Sequence, residues 1–390
     1  MKAQILNHSR TTEAGKIRRA LIFLACLCLC ASALQAQPKA KADVAALFIR
    51  AVELQRQEKW QEAAVEYRKL LAAAPNYAEA QANFGVVLAR LGKTAEAIKA
   101  YEKALQLKPE LGPILLNLGI LHYRAGQFAQ AATALERFIV SAPDHPQARQ
   151  LLGLSLVELG RDADAVIYLE PLLSSPQVEA ATLYSLGLSY LRLQRKEASA
   201  VVQQLAARAD GMGFARLLQG QVLLDAFELQ QAATEFEAAE KLSPDLPRLA
   251  FLLGLTYHKM GRTPPAREYL ERELKRTPDD FLTLYYLAAL LEKQGELPAA
   301  AQRIQAALKQ EPQNPQALEL SGSILLKLGQ TAEAVRALEQ VKAQRPDNSD
   351  ARYLLARGYQ KLGRKEDAAR EFAEVERLKA QANEREKVRK

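Results

Sequence analysis

Cysteine is nearly absent: the only three, Cys26, Cys28 and Cys30, lie together near the start, and residues 31–390 contain none. Disulfides, a thiolate-ligated metal and a cysteine nucleophile are thereby excluded from that stretch. Histidine is scarce too. Four occur, and His122, His145 and His258 stand far apart with no HExxH and no partner histidine at helical spacing, so nothing supports a histidine metal site. There is no GxSxG elbow and no glycine-rich phosphate loop; the isolated GMG at 211–213 is only a fragment of one. The acid and base pairs, as in ERELKR, have the spacing of solvated helix faces. No cofactor is implied, and the chain reads as a non-enzyme.

A long apolar run is missing as well. The longest, ALIFLACLCLCASAL at 20–34, is 15 residues, against about 20 for a membrane-spanning helix. It follows Arg18 and Arg19 and leads into Ala31, Ala33 and Ala36, the three-part pattern of a secretory signal peptide. Residues 1–36 are therefore expected to be a leader cleaved near Ala33 or Ala36, with a short linker at 37–43 and export to a periplasm or the outside. A retained anchor and a lipid on Cys26, Cys28 or Cys30 are the alternatives. The formal charge of +8 does not describe a nucleic-acid surface. Five cations against Glu13 in residues 1–36 supply +4 of it and residues 376–390 another +3, so the body is close to neutral.

What is present is a period. Prolines recur at Pro75, Pro109 and Pro143, then at Pro244, Pro278, Pro312 and Pro346, in steps of 34. Small residues recur in phase: Ala51, Gly85, Gly119, Gly153, Gly187, Gly220, Gly254, Ala288, Gly322 and Ala356. So do Ala63, Ala97, Ala131, Ala165, Ala232, Ala266, Ala300, Ala334 and Ala368. Each unit reads as two amphipathic helices. Gly92, Gly126, Gly160, Gly261, Gly295, Gly329 and Gly363 close the first helix, and the proline column ends the second. The small residue in the first helix is expected to admit the second, with the alanine early in the second as its partner. Ten units result, and one alone cannot bury its apolar face.

The pattern, plainest in NFGVVLARLGKTAEAIKAYEKALQLKP, LLNLGILHYRAGQFAQAATALERFIVSAP and LSGSILLKLGQTAEAVRALEQVKAQRP, resembles the tetratricopeptide repeat. The resemblance covers about residues 44–382, leaving no room for a catalytic domain. It implies an all-α, right-handed superhelical solenoid. Units one to five span 44–212, units six to ten span 213–382, and a polar basic tail occupies 383–390, where weak contact with a membrane surface is conceivable. The array is least regular around 195–230. Pro176 comes one place early, the fifth unit has 33 residues with Gly211 in place of a terminal proline, and Phe227 replaces the turn glycine. A bend there between two half-arrays is the functional reading of that break.

In similar proteins the first helices line a concave groove that grips a partner segment, and the resemblance places Phe48, Tyr184, Phe251, Tyr285 and Tyr353 there, with Tyr123 and Phe214 beside them. Such rings would anchor an apolar or extended peptide. A basic stripe, Arg56, Arg90, Arg124, Arg192, Lys259, Lys293, Lys327 and Lys361, ends the first helices, where cations complement the dipole. The family's clamp for a chaperone tail is unsupported: its places hold Phe48, Val52, Asn83, Pro113 and Asn117, of which only Asn83 matches. An asparagine ladder is reduced to Asn83 and Asn117. The function implied is a non-catalytic scaffold or adaptor for other proteins. Similar arrays in bacteria also serve cell-envelope assembly and polysaccharide export, and a regulatory subunit docking onto an enzyme is a further alternative.

Overall fold

The computed structural model describes residues 43–175 and 177–389. The leader, most of the linker and Pro176 lie outside the described residues.

Two helices per 34 residues follow from the apolar spacing, and all of the described regular structure is helical. The chain divides into two compact units, one ending at Val178 and one beginning at Glu179. The first is a stack of four antiparallel hairpins. They are α1 (43–56) with α2 (Trp60–Ala73), α3 (Ala78–Arg90) with α4 (Thr94–Leu107), α5 (Gly112–Arg124) with α6 (Phe128–Ser141), and α7 (Pro146–Glu158) with α8 (Asp162–Leu169). A 3-10 turn, Glu170–Ser174, extends the last. The second unit stacks six: α9 (Ala180–Arg192) and α10 (Ala198–Ala206), α11 (Met212–Asp225) and α12 (Leu229–Leu242), α13 (Leu249–Lys259) and α14 (Thr263–Arg276), α15 (Phe281–Gln294) and α16 (Leu297–Gln310), α17 (Pro315–Lys327) and α18 (Thr331–Gln344), α19 (Ser349–Lys361) and α20 (Lys365–Arg389). The division falls one repeat earlier than the expected 212/213. Residues 195–230 lie inside the second unit, where α11 packs on both α9 and α10. The expected tail at 383–390 continues α20 as helix through Arg389.

Gly92, Gly126, Gly160, Gly261, Gly295, Gly329 and Gly363 all adopt the left-handed conformation that ends the first helix. Glu58, Gln194 and Phe227 occupy the same place in hairpins one, five and six and take the same left-handed φ without glycine's freedom. A side chain there costs about 1–2 kcal/mol, against about 0.5–1 kcal/mol of extra chain entropy for glycine. Gln194→Gly, at an exposed position, is therefore expected to raise stability by about 0.5–1 kcal/mol in thermal denaturation.

The mid-helix glycines act on a different partner from the one expected. A Cβ on Gly119 would lie 2.6 Å from Leu135, and one on Gly153 2.4 Å from Leu169. These are the large side chains one turn beyond the early alanine. Ala131 and Ala165 are fully buried, but it is the leucine that lies flat on the glycine's backbone. Within a unit, neighbouring hairpins also bury surface against one another, as where Tyr67, Leu70 and Val87 share one cluster.

Polar ties join successive hairpins. The Tyr257 hydroxyl donates to Glu237 and Tyr359 to Glu339 at 2.7 Å. Tyr269 donates to Glu240 at 2.9 Å, its ring stacked on Tyr257 with centroids 5.8 Å apart. First helices late in the chain are capped by the residue before them: Asp280 accepts from the Thr283 N–H (2.8 Å), Asn314 from Ala317 (3.1 Å) and Asn348 from Ala351 (2.9 Å). Burial works against the Asp280 carboxylate, but the Thr283 hydroxyl and N–H and the Arg248 guanidinium outweigh it and hold its pKa below the ordinary aspartate value. A depressed carboxyl pKa stabilises the fold above the unfolded-state value and ceases to do so as pH falls through the folded one. Asp280→Ala is accordingly expected to cost about 1 kcal/mol at neutral pH, with the difference shrinking as pH falls below the ordinary aspartate value of 3.8. Chemical denaturation of both proteins across pH 3–7 checks this.

Candidate functional site

The expected groove residues sit on first helices, but packing sorts them differently from sequence. Two of the rings at the fifth place of their units are buried by packing. Tyr184 is 7% exposed and Phe251 4%, so neither is the open anchor expected. Tyr184 lies 5.3 Å from the Phe214 ring, centroid to centroid, and accepts from the Gln221 amide at 3.2 Å. Phe48 is half-buried on Tyr77 (5.1 Å), and Tyr123 is half-buried with its edge to Phe128 (5.7 Å). Tyr353 is open, 45% exposed, edge-on to Phe372 at 5.9 Å.

Asn83 and Asn117 turn to a neighbour instead of forming a ladder. Asn83 lies beside the Tyr67 hydroxyl, which donates to Gln55 Oε1 at 2.8 Å, and Asn117 beside the Tyr101 hydroxyl, each tyrosine in the preceding hairpin; burial drives both tyrosine pKa values up to about 12, and the asparagine opposes that. The sequence held the signal. A tyrosine at the 24th place of one unit is followed by asparagine at the sixth place of the next in these two cases, and later units have neither.

One contiguous aromatic patch does form, on the seventh and eighth hairpins. Phe251 and His258 of α13 both reach Tyr286 of α15, at 6.1 and 5.7 Å; Tyr286 meets Tyr285 edge-on at 5.3 Å, and Phe281 stacks on Tyr285 at 6.3 Å. Phe281, Tyr285 and Tyr286 are half-buried, and Leu282 beside them is 42% exposed. Tyr286 and His258 were not foreseen; the Tyr285-Tyr286 pair next to an apolar Phe281-Leu282 was the available signal.

A local turn shapes one edge of the patch. Pro247 and Arg248 delay α13 to Leu249, and Arg248, left-handed at φ 59°, lays its guanidinium 4.4 Å over the Phe251 ring and on Asp280 at 3.0 Å. The other edge is cationic. Burial, then the charges of Lys293 and Lys259, hold His258 below the ordinary histidine range, so it is neutral at pH 7. Burial, followed by Tyr286 and Glu319, raises the Tyr285 hydroxyl pKa. Neither Lys259 nor Lys293 forms an ion pair among the described residues; Lys259 lies 5.7 Å over the Phe227 ring.

Elsewhere the basic stripe reaches into the preceding hairpin rather than only capping its own helix. Arg90 lies over Trp60 (5.9 Å), Lys327 pairs with Glu292 (2.8 Å), and Lys361 donates to the Leu326 carbonyl (2.9 Å). Among the described residues there is no group of three or more histidine, cysteine or acidic side chains placed to hold a metal. No described helix is long and apolar enough to cross a membrane.

A family model described as tetratricopeptide repeat matches residues 116–177, 217–281, 251–315 and 285–340; a second of the same description matches 325–385, and one described as TPR repeat matches 87–126. Similar solved structures include MamA AMB-1, with 22% identity over 43% of this chain and 92% of that one (TM-score 0.39). Another is MamA MSR-1, with 20% identity over 44% and 98% (TM-score 0.40). No curated protein matches the sequence.

Proposed function

We propose that this chain, which is built of tetratricopeptide repeats, is a non-catalytic scaffold or adaptor that binds a segment of another protein on its first helices. The aromatic patch of the seventh and eighth hairpins carries the reading. Tyrosine and phenylalanine supply large contact area for few rotors, and rings already held by neighbours lose little freedom on binding. Lys259 and Lys293, without acidic partners of their own, favour a segment that places an acidic side chain beside an apolar one. Binding would bury Leu282 and the open faces of Tyr285 and Tyr286, with no chemical step.

Export belongs to the same proposal. The leader pattern of residues 1–36 would deliver the chain to a periplasm or the exterior, and the cysteine-free remainder suits an oxidising compartment. The partner would then be an envelope or secreted protein.

The test is affinity capture from an extract of the source cell with the chain and with a variant carrying Leu282→Asp and Tyr285→Ala, both on half-buried or exposed side chains. A partner held by the first and reduced at least about tenfold with the variant, whose circular dichroism is unchanged, is the expected result. Equal capture by both removes the patch from the proposal.

A further inference from the structure

One carboxylate in the first compact unit lacks the partners that its counterparts have in other repeats. Glu102 of α4 occupies the place of Glu136 one repeat on and of Glu339 seven repeats on. Glu136 pairs with Arg161 at 3.2 Å and Glu339 with Arg364 at 3.7 Å, in each case an arginine just before the second helix of the next hairpin. Glu339 also accepts from the Tyr359 hydroxyl at 2.7 Å, as Glu237 does from Tyr257. In the third hairpin Gln127 stands where those arginines are, and His122 where those tyrosines are. Glu102, exposed on α4, is left without a side-chain hydrogen bond or ion pair among the described residues.

Glu102 lines a groove of about 300 Å³, together with Leu118 and His122 of α5 and Ala134 and Arg137 of α6. His122 is only 5% exposed. Its Nδ1 lies 2.6 Å from Gln127 Oε1; an amide oxygen only accepts, so Nδ1 carries the proton and Nε2 is left as an acceptor, with no partner among the described residues. An imidazole ends about 2 Å short of where a phenol oxygen would lie, which leaves room for one donor atom between Nε2 and the carboxylate. Arg137 does not fill that room. Its guanidinium donates to the Pro109 carbonyl at 3.1 Å, about two turns further along the chain from Glu102.

Two acceptors on different helices narrow the chemistry of what fits. A hydroxyl has one proton and serves only one of them, whereas an ammonium has three. A guanidinium holds its donors in one plane and suits both oxygens of a single carboxylate better than one acceptor on each side. We infer that this groove binds a lysine side chain presented by a partner protein, with its ammonium between Glu102 and His122 Nε2 and its stem on Leu118 and Ala134. The partner thereby supplies the cation that Arg161 and Arg364 supply in other hairpins. The source of the lysine rests on the scaffold reading, but the test uses the purified chain with a small amide and so does not depend on the patch of the seventh and eighth hairpins.

N-acetyl-L-lysine methylamide is titrated into the isotope-labelled full chain at about pH 8, where imidazole is uncharged, and followed by NMR. Expected are saturable shifts confined to residues 102–137 and including the His122 ring nitrogens, with binding about tenfold weaker for the norleucine and arginine analogues. Glu102→Gln, on an exposed side chain, should weaken lysine binding about tenfold. Gln127→Arg, also at an exposed position, gives the chain its own cation there and should abolish binding. Absence of localised shifts, equal binding of either analogue, or undiminished binding in Glu102→Gln or Gln127→Arg overturns the inference.

Discussion

Arg352→Ala is expected to lower the stability of the C-terminal hairpins by about 3 kcal/mol. Glu371 on α20 is a buried carboxylate. One oxygen accepts from Arg352 of α19 at 2.5 Å and the other pairs with Lys342 of α18, so a single acid joins three helices. The Arg352 side chain is only 11% exposed and that of Glu371 6%, so water cannot replace the guanidinium once it is gone. Arg352 also donates through Nε to the Pro346 carbonyl at 2.6 Å, which fixes the turn before α19. Removing one member of a buried pair strands its partner's charge, typically at about 3–5 kcal/mol; the surviving Lys342 contact argues for the lower end. Replacing Arg352 by Met and Glu371 by Leu together removes both the attraction and the desolvation cost, and this double variant should stay within about 1–2 kcal/mol of the parent. Because repeat arrays unfold in segments, amide hydrogen exchange in α19 and α20 is the appropriate measurement, compared with α11 as an internal reference.

Gly211→Ala is expected to cost about 2–3 kcal/mol, more than alanine at any mid-helix glycine. Gly211 stands just before α11, and a Cβ there would lie 2.4 Å from the Leu205 carbonyl oxygen and 3.1 Å from that residue's carbonyl carbon and Cα. Backbone cannot rotate out of the way as a side chain can. Its φ of −98° suits any residue, so contact alone sets the cost. This is why the fifth unit, one residue short, carries glycine where others carry proline: α10 is only nine residues and turns into α11 with the two backbones touching. Gly85→Ala is the control. Its Cβ would come within 2.5 Å of the Tyr101 ring, but a ring can tilt, alanine gains about 1 kcal/mol of helix propensity, and Ala51, Ala288 and Ala356 already hold that place in other units. Thermal denaturation of both variants should rank Gly211→Ala clearly below Gly85→Ala.

The repeat period was legible because its causes are local. A glycine that must be left-handed and a proline that must end a helix recur at fixed offsets, and Ala78, Gly112, Pro146, Ala180, Phe281, Pro315 and Ser349 start first helices where the period puts them. The groove was less legible because its causes are not local. Whether the residue at the fifth place of a unit is open depends on what packs over it: Tyr353, on the last first helix, is open while Phe251, with Arg248 folded over it, is buried. The partner of the small residue was misjudged for a similar reason. Ala131 and Leu135 lie one turn apart on the same face of α6, and only the three-dimensional packing shows that Leu135 meets Gly119. Asn83 and Asn117 looked like ligand-facing groups because sequence gave no view of the tyrosine across the hairpin junction.

The central claim, that a partner segment docks on the seventh and eighth hairpins, is tested most directly by placing a photo-crosslinking amino acid at Leu282 in the full chain, expressed in its source cell, with the same residue at exposed Val140 as reference. Irradiation should yield a discrete protein adduct at position 282, absent at 140 and lost when Tyr285→Ala is added. Adducts at 140 alone, or none at 282 while the chain still captures its partner, would contradict the account and move the binding surface elsewhere on the array.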